Sequence, residues 1–139
     1  MYLSKVRVGL LLACGLIAAG CGDDPEPITR PDPVPSITEE FSGTLTPFSA
    51  RTHAFGVLNA GTVSVQINDL DPATTVVGLL IGTLNGTVCQ TAVSTEFGTN
   101  TGVLNAVGSS AGILCARIYD SSETGLPAAV PYRLTITHY

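Results

Sequence analysis

The sequence predicts an all-β fold, a single antiparallel β-sandwich or barrel of about eight strands in residues 38–139. Beyond residue 37, apolar and polar residues alternate with the two-residue period of half-buried strands. Glycine, asparagine, aspartate or proline interrupts this pattern about every ten residues. No stretch beyond residue 37 has a persuasive helical period. A chain of about 100 residues divided in this way forms one domain.

The alternation is clearest in segments 62–68, 112–120 and 130–138. In the first, Val63, Val65 and Ile67 share one face and polar residues occupy the other. Asn85-Gly86 is the clearest turn, because a two-residue hairpin loop needs a positive φ that Asn and Gly adopt at low cost. The predicted strands are 38–45, 51–57, 61–68, 76–83, 87–95, 101–107, 112–120 and 130–138.

Residues 1–20 have the anatomy of a secretory signal peptide, which is cleaved from the mature protein. Lys5 and Arg7 precede an apolar stretch, Val8–Ala19, which is too short to span a membrane because a spanning helix needs about 20 apolar residues. The segment Ile17-Ala18-Ala19-Gly20-Cys21 resembles the lipobox of bacterial lipoproteins. That resemblance implies that Cys21 is lipidated, for example with palmitate, and begins the mature chain.

Two alternatives to this interpretation stay open. Leu11-Leu12-Ala13-Cys14 is a rival lipobox, but it leaves an apolar core of only about six residues, below the usual range of about 7–15. The other alternative is a plain secretory signal that contains a cysteine. With Cys21 lipidated, the acyl chains hold the protein at a membrane, and Gly22 favours the outer membrane in the logic of enteric lipoproteins. The expected location is therefore the cell envelope, at the periplasmic face or the cell surface.

The cysteines support an exported protein. With Cys14 removed in the signal and Cys21 lipidated, Cys89 and Cys115 remain, and two thiols in an exported domain most simply form a disulfide. His53 and His138 are far from metal-ligand spacing, and we expect them at surface or edge positions. No CxxC motif or Cys/His cluster is present, so no cofactor is expected.

Residues 21–37 form a proline-rich linker that follows the predicted lipid anchor. Five prolines lie between Gly22 and Ile37, with almost no apolar content, so this segment is expected to be disordered or extended. After signal removal the chain keeps four arginines and eleven acidic residues, a net charge of −7, and no lysine. Nucleic acid is therefore an unsuitable partner, because its binding needs clustered basic charge.

Five segments together resemble the bacterial pre-peptidase C-terminal domain over about residues 38–139. They are, in order, Phe41–Leu45, Thr52–Phe55, Ala60–Val63, Gly112–Asp120 and Pro131–Thr137. The resemblance implies a jelly-roll-like sandwich that is appended to secreted hydrolases or carried alone on lipoproteins. Members resemble carbohydrate-binding sandwiches and sometimes carry calcium. The fourth strand, 76–83, lacks the acidic residues that members often place there.

Two patterns suggest chemistry but have simpler interpretations. Gly108-Ser109-Ser110-Ala111-Gly112 fits G-x-S-x-G, but a nucleophile elbow needs a helix after Ser110, and a strand is predicted there. The acidic residues of two turns have oxygen ligands that suit calcium, although turn capping by aspartate is favoured. These weak calcium candidates are Asp69, Asp71, Asp120 and Glu123.

The remaining candidate site is a contact patch formed by Arg117 and Tyr119 on one strand face. The aromatic residues are scattered along the chain, as is usual for residues that fill a sandwich core. The sequence thus favours a non-catalytic, lipid-anchored module for protein interaction or accessory binding, with an unknown protein or glycan partner. The alternative is a carbohydrate-binding module, which needs an exposed aromatic pair, and a small hydrolase is the least favoured reading.

Overall fold

The computed structural model describes residues 33–139, which form eight β-strands and no helix. Their bounds are β1 Ile37–Leu45, β2 Ala50–Val57, β3 Gly61–Leu70, β4 Val77–Asn85, β5 Val88–Gly98, β6 Val103–Gly108, β7 Gly112–Tyr119 and β8 Val130–His138. All eight predicted strands are present. Within 33–139 no helix is long and apolar enough to cross a membrane. The predicted signal peptide and the lipidation of Cys21 lie outside the described residues.

The strands form two antiparallel sheets of four. The first sheet has the order β1-β8-β3-β6 and the second has the order β2-β7-β4-β5. Consecutive strands alternate between the sheets except at the β4–β5 hairpin, which is the connectivity of a jelly roll. The predicted all-β, jelly-roll-like sandwich is therefore confirmed.

The core lies between the two inner faces and follows the predicted alternation. In β3, Val63, Val65 and Ile67 are fully buried, and in β8 Leu134 and Ile136 are buried as well. The intervening residues of these strands are exposed or half-buried. These two strands thus contribute one apolar face to the core, as the two-residue period requires, whereas the first six residues of β4 are all buried.

The β4–β5 hairpin differs from its prediction by one residue. Asn85 pairs with Val88, so the two-residue loop is Gly86-Thr87 and not Asn85-Gly86. Gly86 has a φ of 61°, which suits the first central position of a type II′ turn. The loop centre shifts because only one residue needs a positive φ, and glycine adopts it without steric cost.

The predicted disulfide between Cys89 and Cys115 is present, with the two Cα atoms 5.8 Å apart. Cys89 lies in β5 and Cys115 in β7, and both strands flank β4, so the bond crosses the outer face of β4. A Cβ atom at Gly82 of β4 would lie 1.9 Å from the carbonyl oxygen of Gln90. The backbone of β5 therefore rests directly on β4, and only glycine fits beneath it.

Candidate functional site

The predicted contact patch lines a depression at one end of the second sheet. Arg117 and Tyr119 are half-buried on the outer face of β7. They border a cavity of about 330 Å³, which we call the Phe48 depression. Its lining residues are Phe48, Ser49, Ala50, Leu80, Arg117, Tyr119 and Asp120. The prediction named two members of this site but not its most exposed aromatic side chain.

Tyr119 is seated on β4 because Gly78 has no side chain. A Cβ atom at Gly78 would lie 2.2 Å from the tyrosine ring. Burial and the Glu96 carboxylate raise the pKa of Tyr119, while Arg117 acts in the opposite direction. The phenol therefore stays protonated at neutral pH and can donate a hydrogen bond into the depression.

Arg117 brings a cation to the depression. Within residues 33–139, a salt bridge joins Asp69 to Arg133, and no carboxylate pairs with Arg117. A guanidinium group has five N–H donors and no acceptor. Its position beside an aromatic side chain and a phenol suits a ligand that carries an oxygen acceptor or a negative charge.

Phe48 is presented by a strained turn. The residue has a φ of 56°, in the left-handed region that a bulky side chain rarely adopts, and its side chain is 73 % exposed. The Ser49 N–H donates to the carbonyl oxygen of Thr46 at 3.1 Å and closes the turn. The ring packs on Gly125, where a Cβ atom would lie 2.6 Å from it. The turn thus presents an exposed phenylalanine whose ring rests against Gly125.

Asp120 fixes this turn from the opposite side. One carboxylate oxygen accepts hydrogen bonds from the N–H groups of Phe48 and Leu126, both at 2.8 Å, and the other accepts from Ser122 N–H at 2.9 Å. Partial burial acts to raise the pKa of Asp120, but the three backbone donors outweigh it and hold the pKa below its ordinary value. Asp120 therefore caps two loops, as the turn-capping interpretation predicted.

The other acidic candidates lie apart from this cap. The expectation that Asp69 lies in a turn is wrong, because β3 continues through it to Leu70, and its carboxylate lies 3.6 Å from the guanidinium of Arg133. Asp71 and Glu123 are exposed in the loops after β3 and β7. Among the described residues, no three His, Cys, Asp or Glu side chains gather as they would around a metal ion.

Ser110 lies in the loop between β6 and β7. The strand β7 begins at Gly112, so the serine is followed by a strand, as predicted, and lacks the helix of a nucleophile elbow. It lines a depression of about 180 Å³ together with Ser109 and the ends of both strands. No histidine or carboxylate is among the residues that line this depression. The geometry gives Ser110 neither a base nor an orienting group.

The expectation of surface or edge positions is wrong for His138, which is buried in β8, whereas His53 is half-buried on the edge strand β2. His53 Nε2 lies 2.9 Å from the hydroxyl oxygen of Tyr132, and burial together with Arg51 lowers the pKa of His53. His138 is buried, with Nε2 2.9 Å from a Glu39 carboxylate oxygen. Each histidine occupies a position of its strand that faces the interior, and the alternation of apolar and polar residues in the sequence indicates this orientation.

A second surface lies along β6, an edge strand of the first sheet. Between Pro72 and Ala116 the chain has a single charged residue, Glu96. Four apolar side chains are exposed on or beside β6, and we call them the β6 edge. They are Phe97 (81 % exposed), Val103 (53 %), Val107 (82 %) and Ile113 (54 %). A depression of about 250 Å³ is bordered by Phe97 and Val103. The depression that contains Ser110 is bordered by Val107 and Ile113.

The expectation that aromatic residues fill the core is wrong for Phe48 and Phe97, which are both exposed. The sequence contains a signal for the first, since Pro47 suits the second position of a type II turn and the next position takes a positive φ. Tyr132 is buried and cannot belong to the exposed aromatic pair that a carbohydrate-binding module needs. Phe48 and Tyr119 are instead the two aromatic residues that line one depression.

Comparison with known proteins supports the fold. No protein-family model matches the chain, and no curated protein matches it. Among solved structures, the chain is similar to PliG of Aeromonas hydrophila, a periplasmic lysozyme inhibitor of g-type lysozyme. The TM-score is 0.51 at 14 % sequence identity, and the match covers 71 % of this chain and 83 % of PliG. At this identity the likeness concerns the fold alone.

Proposed function

We propose that this protein is a non-catalytic, lipid-anchored module of the bacterial cell envelope that binds a protein partner through the β6 edge. The observation that carries the proposal is the set of exposed apolar side chains on and beside β6, a strand without charged residues. Exposed apolar clusters on a soluble domain mark interaction sites. The resemblance to the pre-peptidase C-terminal domain, which is also found alone on lipoproteins, is part of this proposal.

The two borders of the first sheet differ in charge. One edge strand of this sheet, β1, carries Glu39 and Glu40. Charged side chains on an edge strand discourage pairing with other chains. The opposite border, β6, has no charged residue. Because interface centres are depleted of charge and enriched in aromatic side chains, Phe97 and Val107 fit the centre of a protein contact.

The similarity to PliG supports a protein partner and an envelope location, and it identifies the first partner to test. PliG is an inhibitor of g-type lysozyme. We therefore take a g-type lysozyme as the first defined partner for binding measurements. A broader search uses cross-linking in intact cell envelopes.

Val107→Glu is expected to weaken partner binding at least tenfold, because a carboxylate would be desolvated in an apolar contact. The matched control is Thr44→Glu, at an exposed position on the opposite border of the same sheet. Both variants are made in a Cys21→Ser chain, and binding to immobilised g-type lysozyme and cross-linking in envelopes are measured. Equal retention by both variants would place the contact elsewhere.

Cys21→Ser is expected to move the protein from the membrane fraction to the soluble periplasmic or culture fraction and to abolish labelling by radioactive palmitate. The physical reason is that each buried methylene of an acyl chain contributes about 0.8 kcal/mol to membrane binding. Cys14→Ser is the control, since this residue is expected to leave with the signal peptide. Labelling that survives Cys21→Ser but not Cys14→Ser would assign the anchor to the rival lipobox.

A further inference from the structure

We propose that the Phe48 depression is a glycan-binding site that takes a sugar ring carrying a carboxylate, as in an acidic polysaccharide. This site is separate from the β6 edge and goes beyond the proposed protein contact. Three features of the depression carry the inference: an aromatic face held in a fixed orientation, a phenol donor, and a guanidinium group without a carboxylate partner among residues 33–139.

The orientation of Phe48 is the first step. A phenylalanine at a φ of 56° is strained, and such strain persists where the surrounding structure enforces it. The Asp120 carboxylate and Gly125 hold the turn and the ring in place. The result is a rigid, solvent-exposed aromatic surface, which can stack on the C–H face of a sugar ring at little cost in side-chain entropy.

The charges of the depression select the type of sugar. Both oxygens of Asp120 already accept backbone hydrogen bonds, so this carboxylate has little capacity left for sugar hydroxyl groups. Arg117 and the Tyr119 hydroxyl therefore supply the free polar groups; the guanidinium only donates hydrogen bonds, and the protonated phenol can donate one. The Arg117 guanidinium suits a ligand carboxylate, which such a group binds with two parallel hydrogen bonds.

The shape of the site also fits a polymer. The depression of about 330 Å³ lies on the outer face of a sheet, beside strand β2. The neighbouring outward residues of β2 are small, Thr52, Ala54 and Gly56. Such a surface leaves room for the sugar rings on either side of the one that stacks on Phe48.

The test measures binding of oligogalacturonate to the Cys21→Ser chain by calorimetry, against the same oligomer with its carboxylates reduced to hydroxymethyl groups. We expect binding of the acidic oligomer and at least tenfold weaker binding of the reduced one. Equal affinity for both would overturn the role of Arg117. Absence of binding to the acidic oligomer would overturn the site as proposed.

Phe48→Gly separates recognition from folding. Because glycine adopts a φ of 56° without strain, this variant is expected to keep or raise the unfolding free energy while it loses at least tenfold in glycan affinity. Phe48→Tyr should retain binding, and Arg117→Gln should remove the preference for the acidic oligomer. Phe97→Ser at the β6 edge is the control, with unchanged glycan affinity. Wild-type affinity in Phe48→Gly would refute the stacking contact, whereas loss of binding in Phe97→Ser would assign the glycan to the other surface.

Discussion

Replacement of Cys89 and Cys115 together by alanine is expected to lower the free energy of unfolding by about 3.5 kcal/mol. The bond joins residues 26 positions apart, and closing a loop of that length restricts the unfolded chain by about this amount in the chain-entropy model. The loop contains the whole of β6, so the same bond restrains the strand that carries the proposed protein contact. Urea unfolding of the oxidised wild type and the double variant at pH 7 measures the difference.

The surroundings of the bond add to this effect. Cys115 is fully buried and Cys89 nearly so, and Leu80 belongs to the same cluster, with Leu84 and Tyr119 packed against it. Loss of two sulfur atoms there leaves a small cavity, which destabilises the fold further. Because Tyr119 contacts this cluster, the loss should also loosen one wall of the Phe48 depression.

Reduction provides the control. Dithiothreitol should destabilise the wild type in the same direction and leave the double-alanine variant unchanged, because only the former has a bond to break. If the free energy of unfolding of the double variant lies within about 1 kcal/mol of that of the oxidised wild type, the unfolded chain is already restricted in this region. In that case, the stabilising role assigned to the bond would fail.

Most strands were predictable from the sequence because they have one face in the core and the other face exposed or half-buried. This geometry requires alternation, which β8 follows at every position and β3 follows as far as Ile67, before a β-bulge. The disulfide was predictable for a different reason, since Cys89 and Cys115 were the two cysteines left in the exported domain. Both inferences depend on local patterns or on counting, and neither needs the tertiary arrangement.

The β6 edge could be predicted only in part. The absence of charge between Pro72 and Ala116 is visible in the sequence, but the orientation of β6 is not. From the sequence alone, two sets of residues could face the core, since both are apolar. One set is Val103 with Val107, and the other is Leu104 with Ala106. Pairing of Val65 with Leu104 decides the matter and leaves the two valines exposed.

The Phe48 depression could not be predicted from the sequence, because it depends on the tertiary arrangement. Phe48 and Asp120 are 72 positions apart, and no local pattern indicates that the carboxylate of one receives the N–H group of the other. The sequence identified Arg117 and Tyr119 because they share a strand face, which is a local property. It also suggested capping by Asp120, but the capped groups lie in two different loops.

Asp120→Ala is expected to lower the free energy of unfolding by about 3 kcal/mol. Each net hydrogen bond to a charged group contributes about 1.5–3 kcal/mol, and Asp120 accepts three, although solvent partly replaces those near the surface. Glu123→Ala is the matched control, because Glu123 is an exposed carboxylate in the same loop and its loss should change stability by less than about 0.5 kcal/mol. Urea unfolding at pH 7 measures both.

The effect of Asp120 should depend on pH. Its pKa is lower in the folded protein than the ordinary value of 3.8, so the folded state binds this proton more weakly than the unfolded chain does. The stabilisation by the carboxylate is therefore complete above pH 3.8 and is lost as the pH falls through the lower, folded-state pKa. The stability difference between wild type and Asp120→Asn should shrink below pH 3.8, and a difference that is constant from pH 7 to about pH 2 would contradict the capping role.

Asp120→Ala also links the cap to the proposed glycan site. Without the acceptor at Phe48 N–H, the turn can relax from its left-handed φ, and the ring loses its fixed orientation. Glycan affinity should therefore fall at least tenfold in Asp120→Ala, at a temperature where the domain is still folded. In the double variant Asp120→Ala, Phe48→Gly, no further loss should follow, because the stacking surface is already absent. Additive losses in affinity would instead mean that Asp120 contacts the ligand directly.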